Sequence, residues 1–485
     1  MKRQLINNAS ITLCSRLLGF ARDFLFARYM GPSLDLDAFI LAFKIPNMFR
    51  RFLAEGVFMQ SMVPAVTSAS SPEAFKRSLL TGWLLVLSIF SFVFMLGVDH
   101  ILPHILPGLD LNSDLYQKVL SIMPWVFPYL FMISLCGFYT VQLNMSNQLW
   151  PTSVMPVILN IGFVTGLLYF PLTANMLAKV VFVSGVLQLA LCLYLCKAKQ
   201  QVIVPSRFMM NGEMKQLMLN VSHGFLAQLM QYLSSIVELW FLSFLAVGSV
   251  SWLYFAERLV QMPLGVFSVT LANLLLPRIS KSIHNNHIAQ FYESLSYGVN
   301  VSLAFAIPSM CGLYLVADSI ATVFFKDSID IVSVTSALKI SSLALPAFML
   351  SKLLTAAAFA KKRTDQVFWV TLCAFVVNVG MCYSLISRYG YLAIPMATFI
   401  SAWLQCILFW RALSLHPLRK VKLLKPTVCS TLSMCLAITM LKYNFSFMSV
   451  RAIFELLFQI VSGIVVYQIV LKQFGYTLWG ILEFK

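Results

Sequence analysis

SLLTGWLLVLSIFSFVFMLGV, residues Ser78 to Val98, carries no ionisable side chain over the roughly 20 residues a helix needs to cross a bilayer. Similar stretches recur at 5–30, 36–66, 119–143, 153–172, 176–196, 216–247, 250–276, 293–318, 332–359, 367–387, 390–413, 426–443 and 450–473. An all-α polytopic membrane protein with about 14 transmembrane helices is therefore the expected fold class. Composition agrees: 59% of the residues are hydrophobic and 11% charged, where a soluble domain has about a quarter charged. Mean hydropathy is +0.82. No interval between the spans is long enough for a separate soluble domain.

The net charge of +17 does not point to nucleic acid, because the cations sit mostly in short loops between apolar segments. With the N-terminus inside, the outer loops hold only Lys118, Lys326, Arg388, Lys442 and Arg451. Every other loop cation falls inside, so the positive-inside rule places both termini in the cytoplasm. Asn7, Asn8, Arg16, Arg22 and Asp23 interrupt the first apolar segment, which reads as a first helix of the mature protein and not as a cleaved signal. The ten cysteines form no CxxC pair, and Cys192 and Cys196 read as packing residues. His100 and His104 share that spacing in an outer loop and read as structural. Neither a cofactor nor a metal is expected.

A weak internal repeat runs at an offset of about 213 residues, a six-helix unit of the transporter type. Asp37 to Pro64 contains Ala42-Phe43-Lys44 and ends Met62-Val63-Pro64, while 250–277 contains Ala256-Glu257-Arg258 and ends Leu275-Leu276-Pro277. Each follows a short turn, at Gly31 or Gly248. The last two spans fall outside the repeat.

Charges inside the spans carry the functional information. On the first helix Asn8, Thr12, Ser15, Arg16, Gly19, Arg22 and Asp23 share an arc of about 120°. On the second, Asp37, Lys44, Asn47, Arg51 and Glu55 share a stripe, Arg50 lies beside it, and Pro46 is expected to kink the helix. The eighth helix repeats the pattern with Ser251, Glu257, Arg258 and Gln261. Each such charge costs about 2.5–3.5 kcal/mol at mid-membrane, so it needs a reason to be there. Internal ion pairs, such as Arg22 with Asp37 or Arg51 with Glu55, account for the acids but leave cations in excess. The excess suits a deep cationic cavity lined by helices 1, 2, 7 and 8, and the preference for Arg suits bidentate pyrophosphate. Glu238, Asn378 and Thr398 are polar residues in helices 7, 11 and 12 that read as a weak cation site or as interhelical hydrogen bonds.

The segments Ser15-Arg16-Leu17-Leu18-Gly19-Phe20-Ala21-Arg22-Asp23, Ala42-Phe43-Lys44-Ile45-Pro46-Asn47, Arg50-Arg51-Phe52-Leu53-Ala54-Glu55-Gly56 and Ala256-Glu257-Arg258-Leu259 resemble the MurJ (MviN) lipid II flippases of the MOP exporter superfamily. Glu257, where many members have Asp, is a mild departure. The resemblance implies two six-helix lobes, 1–200 and 210–415, around a central cavity, with 425–485 adding two helices that form a lipid-tail groove. It places substrate-binding residues at Arg16, Arg22, Asp37, Arg50, Arg51, Glu55, Ser251 and Arg258. It implies export of the undecaprenyl-pyrophosphate-linked peptidoglycan precursor across the bacterial inner membrane, with other cell-wall synthesis proteins as partners. A MOP-type exporter of another polyprenyl-linked oligosaccharide or a small molecule is the alternative. An integral-membrane enzyme is disfavoured, because the longest outer loop, about 99–118, is too small to build an active site.

Overall fold

The computed structural model describes residues 2–53, 57–146, 148, 150–265, 269–285, 287–325, 330–361, 363–413, 422–445 and 452–482; within these, helices account for nearly all regular structure and no strand occurs. The chain divides into two compact units, Met1–Ser251 and Trp252–Lys485.

In the first unit α1 (Lys2–Leu25) passes through a π-helical turn, Phe26–Met30, before Gly31 reverses the chain with φ 57°. The left-handed backbone at Gly31 recurs at Gly248, with φ 92°, at the corresponding turn of the repeat. Next come α2 (Leu34–Leu53), α3 (Val57–Ser68), α4 (Pro72–Leu96), α5 (Val98–Ile105) and α6 (Asp114–Val126). They are followed by α7 (Pro128–Met145), α8 (Trp150–Tyr169), α9 (Ala174–Ala198) and α10 (Gly212–Leu242). The α2 helix runs through Pro46 without a break. Side-chain caps fix several starts: the Ser113, Thr173 and Asn211 oxygens accept from the amides of Tyr116, Met176 and Met214.

Lipid is as apolar as leucine, so helices here associate through close packing more than through burial from water. Accordingly α1 packs along α8, and α8 along α9. A Cβ at Gly162 would lie 2.5 Å from Ser184 Oγ, so α8 and α9 approach as closely as they do only because Gly162 and Gly166 have no side chains. The rings of Phe26, Phe39, Phe43 and Phe163 interlock α1, α2 and α8, with centroids 5.5 to 6.5 Å apart.

The second unit holds most of α11 (Ser249–Pro263), then α12 (Val269–His284), α13 (Ile288–Phe324), α14 (Asp330–Ser342) and α15 (Leu345–Ala360). It ends with α16 (Thr364–Tyr389), α17 (Ala393–Ala412), α18 (Leu424–Phe445), α19 (Ala452–Gln473) and the short α20 (Leu478–Leu482). The helices α18 and α19 pack on each other and on α13. Tyr467 Oη ties α19 to the Ala304 carbonyl at 2.7 Å.

Among the described residues, nine stretches are long and apolar enough to cross a membrane. Three of them comprise two helices each, Asp114–Met145 (α6 and α7), Asp330–Ala360 (α14 and α15) and Thr364–Ala412 (α16 and α17), the last pair turning at Gly390 with φ 54° and packing together. The charged helices α1 and α2 are not among the nine, since Arg16, Arg22, Asp23, Asp37, Lys44, Arg50 and Arg51 break their apolar character. The fold class follows the sequence reading, and each of the nine stretches overlaps one or, for Thr364–Ala412, two of the expected spans.

Candidate functional site

In the first unit the charged side chains tie α1 to α8 and α2 to α10. Arg22, half-buried on α1, donates Nε and Nη2 to Asp23 Oδ1 at 3.0 and 2.7 Å, and Nη1 to Asn160 Oδ1 at 2.9 Å. Asn160, on α8, donates in turn to the Ser15 carbonyl at 3.1 Å. The guanidinium lies over the rings of Phe26 and Phe163, 5.9 and 5.7 Å from their centroids. Its plane and position are thus set by a carboxylate, an amide and two aromatic faces. Asp23, not Asp37, is the carboxylate that Arg22 takes.

Asp37 serves another element. It is fully buried, and its two oxygens accept from the amides of Gly248 and Ser251 and from the Ser251 hydroxyl. These donors belong to the first turn of α11, which lacks intrahelical partners for its amides. Asp37 also lies in the first turn of its own helix, so one carboxylate meets the positive ends of two helices. Asp37 and Ser251 are 214 residues apart, the repeat offset.

Lys44 Nζ forms an ion pair with Glu238 on α10, joining two of the helices that sequence reading singled out. Arg50 Nε donates to Asn47 at 2.9 Å. Arg16 and Arg51 are exposed, and Glu55 lies outside the described residues. In the second unit Arg258 stacks over Tyr254 at 4.9 Å, while its neighbour Glu257 accepts from Gln261 at 2.6 Å. The polar residues of α16 and α17 satisfy each other: Asn378 donates to Ser401 Oγ at 3.1 Å, and Ser401 Oγ donates to the Thr398 carbonyl at 3.1 Å. No group of three metal-ligating side chains occurs among the described residues.

Sequence reasoning missed Asn160 and Phe163, which complete the Arg22 setting. The signal was a lone Asn in an apolar span. It also listed Lys44 and Glu238 on different helices without pairing them, since nothing in a single sequence couples positions 194 residues apart.

Residues 26–460 match the family model described as lipid II flippase MurJ. The chain belongs to the MurJ lipid II flippase family. A probable lipid II flippase MurJ of Buchnera aphidicola subsp. Baizongia pistaciae is 30% identical over 430 residues, covering 85% of this chain and 83% of the relative. One from Vibrio cholerae is 29% identical over 432 residues, covering 84% and 82%. Among solved structures, a lipid II flippase MurJ in an inward closed conformation superimposes with a TM-score of 0.82 at 22% identity, over 97% of this chain and 98% of that one. An inward-facing multidrug resistance MATE family transporter of the MOP superfamily gives 0.70 at 14% identity, over 86% and 99%. At such identities these two matches establish the fold alone, and they place MurJ architecture beside that of the MATE exporters.

Proposed function

We propose that this protein exports lipid II, the polyprenyl-pyrophosphate-linked peptidoglycan precursor, from the inner to the outer leaflet of a bacterial cytoplasmic membrane. The observation that carries the reading is the set of arginines held on α1, α2 and α11 of a MurJ family chain. Arg16, Arg22, Arg50, Arg51 and Arg258 supply planar, permanently charged forks suited to pyrophosphate, and Glu55 joins them as the acid of the same sequence motif. Asp37 and Ser251 act on the frame instead, because their mutual hydrogen bonds hold the start of α11. The protein works as a carrier and not as a catalyst of bond cleavage. Fourteen spans arranged as two lobes, 1–200 and 210–415, with a cavity between them and both termini in the cytoplasm, complete the reading. Cell-wall synthesis proteins would be its partners.

A pyrophosphate-linked lipid is an anion, and the cytoplasm is electrically negative. Each net negative charge moved outward across the whole field gains about 2.3 kcal/mol per 100 mV, so export needs no nucleotide. The gene is expected to restore growth to a bacterium depleted of its lipid II flippase, and collapse of the membrane potential is expected to stop outer-leaflet appearance. No rescue by a well-expressed, inserted protein would dismiss the assignment.

The helices α13, α18 and α19 enclose an apolar groove of about 420 Å³, lined by Phe305, Pro308, Gly312, Met434, Ile438 and Gly463 among others. It suits the isoprenoid tail of the substrate. Gly312 faces open space, with only Met434 Cε at 4.0 Å from the position of a Cβ. Gly312→Ala should therefore transport normally, whereas Gly312→Phe should fill the groove and slow transport about tenfold, the equivalent of roughly 1.4 kcal/mol. Flipping assays on both variants in reconstituted vesicles check this; normal rates for a stable Gly312→Phe protein would place the tail elsewhere.

A further inference from the structure

The segment joining α9 to α10 has an unusual setting. It is not helical, and Val202, Val204, Met209 and Met210 all project outward from it. Where such a non-helical segment lies against apolar helices, its backbone groups need partners. Two hydroxyls of α4 provide them. Thr81 Oγ donates to the Ser206 carbonyl at 2.6 Å and accepts from the Ser206 amide at 3.0 Å. Ser78 Oγ serves Met209 in the same double fashion, at 3.4 and 2.9 Å. Tyr139 Oη donates to the Ile203 carbonyl at 3.3 Å. A Cβ at Gly82 would lie 2.6 Å from the Phe208 ring, so a side chain there would displace the strap.

Under this strap, α3, α4 and the start of α10 enclose an apolar groove of about 670 Å³, lined by Phe58, Leu79, Trp83, Val86, Phe208 and Met214 among others. Leu85 and Val86 on its α4 wall are exposed, so the groove borders the lipid. Trp83 is 6% exposed and stacks on Phe58 at 3.6 Å, yet its indole N–H has no acceptor among the described residues. A buried donor of this kind calls for an oxygen. Three cations, Arg77, Arg207 and Lys215, stand exposed on the elements that form the groove, and none is paired with a carboxylate among the described residues. The backbones at Arg77 and at Ser206, the residue before Arg207, meet at Thr81, whose hydroxyl lies within hydrogen-bond reach of both carbonyls. The local acids are engaged: Glu73 pairs with Lys76 at 2.8 Å, and Glu213 accepts from the Ser70 amide and hydroxyl.

The geometry points to a site for an anionic glycerophospholipid of the surrounding leaflet. An acyl chain fills the groove, an ester carbonyl accepts from Trp83 Nε1, and the phosphate lies against Arg77, Arg207 and Lys215. A polyprenyl chain fits less well, since it offers no oxygen along its length for the buried indole. The site requires only that the protein be embedded in a membrane, and it stands apart from the transported substrate.

Native mass spectrometry of the detergent-purified protein tests the site, with phosphatidylglycerol and phosphatidylcholine of identical chains. The unmodified protein should retain phosphatidylglycerol in preference, and the Arg77→Gln/Arg207→Gln/Lys215→Gln variant should lose that preference. In vesicles, phosphatidylglycerol brominated on its acyl chains should quench the part of the fluorescence that Trp83→Phe removes. Equal retention of the two lipids, or a preference unchanged in the triple variant, would overturn the proposal. Displacement of phosphatidylglycerol by an equal amount of undecaprenyl phosphate would also overturn it, giving the groove to the substrate tail. Neither measurement reads flipping, so a failed flippase assignment leaves both outcomes intact.

Discussion

Asp37→Ala should lower the melting temperature of the purified protein more than any other single change on α2. The substitution removes the acceptor of three hydrogen bonds at a fully buried position and strands the amides of Gly248 and Ser251 with the Ser251 hydroxyl. Bonds to a charged group contribute about 1.5–3 kcal/mol each and do not add fully, so a loss on the order of 3–4 kcal/mol is expected. Asp37→Asn should recover only part of this, because its amide nitrogen would confront donors. Ser251→Ala should cost about 1 kcal/mol, since both backbone amides keep their acceptor. Thermal unfolding in detergent, beside complementation, separates the two roles the carboxylate could have. An Asp37→Ala protein with unchanged melting but no transport would show that Asp37 acts on the substrate cycle and not on the frame.

The helical class was legible because apolar runs such as Ser78 to Val98 admit one solution in a bilayer, a helix that satisfies its own backbone. The polar stripes of α1 and α2 were legible for the same reason, since helical periodicity alone puts Arg16, Arg22 and Asp23 on one arc. The partner of each charge was not. Arg22 had a choice of acids, and its setting depends on where α8 places Asn160 and Phe163, which periodicity within α1 does not specify. Asp37 looked like one more member of a charged stripe. Its task became visible only when the first turn of α11 met it, although the offset of 214 and the paired glycines at 31 and 248 already marked the two turns as counterparts. The strap at 202–210 was missed because its apolar residues show neither helical nor strand periodicity, and its partners are hydroxyls inside a span.

Arg22 offers the second large effect, and a way to tell scaffold from substrate contact. Removing it takes from Asp23, only 7% exposed, the two guanidinium donors its Oδ1 accepts from, and takes from Asn160 Oδ1 its donor. Breaking a buried pair from one side costs about 3–5 kcal/mol, so Arg22→Ala should be poorly inserted and inactive. Arg22→Lys should fare little better, because a single ammonium cannot span Asp23 and Asn160 as the guanidinium fork does. The informative protein is Arg22→Ala/Asp23→Asn. Neutralising Asp23 removes the charge that Arg22 pairs with, so this variant should regain most of the melting temperature and membrane level of the parent. Transport should stay absent, because a pyrophosphate crossing low-dielectric surroundings has lost a fixed cation that α8 and the rings of Phe26 and Phe163 hold in position. Growth of a flippase-depleted strain, scored beside protein level and unfolding temperature, reads both quantities from the same cells. Rescue by the double variant would mean that Arg22 serves only to neutralise Asp23, and would shift the anion site toward Arg16, Arg50, Arg51 and Arg258.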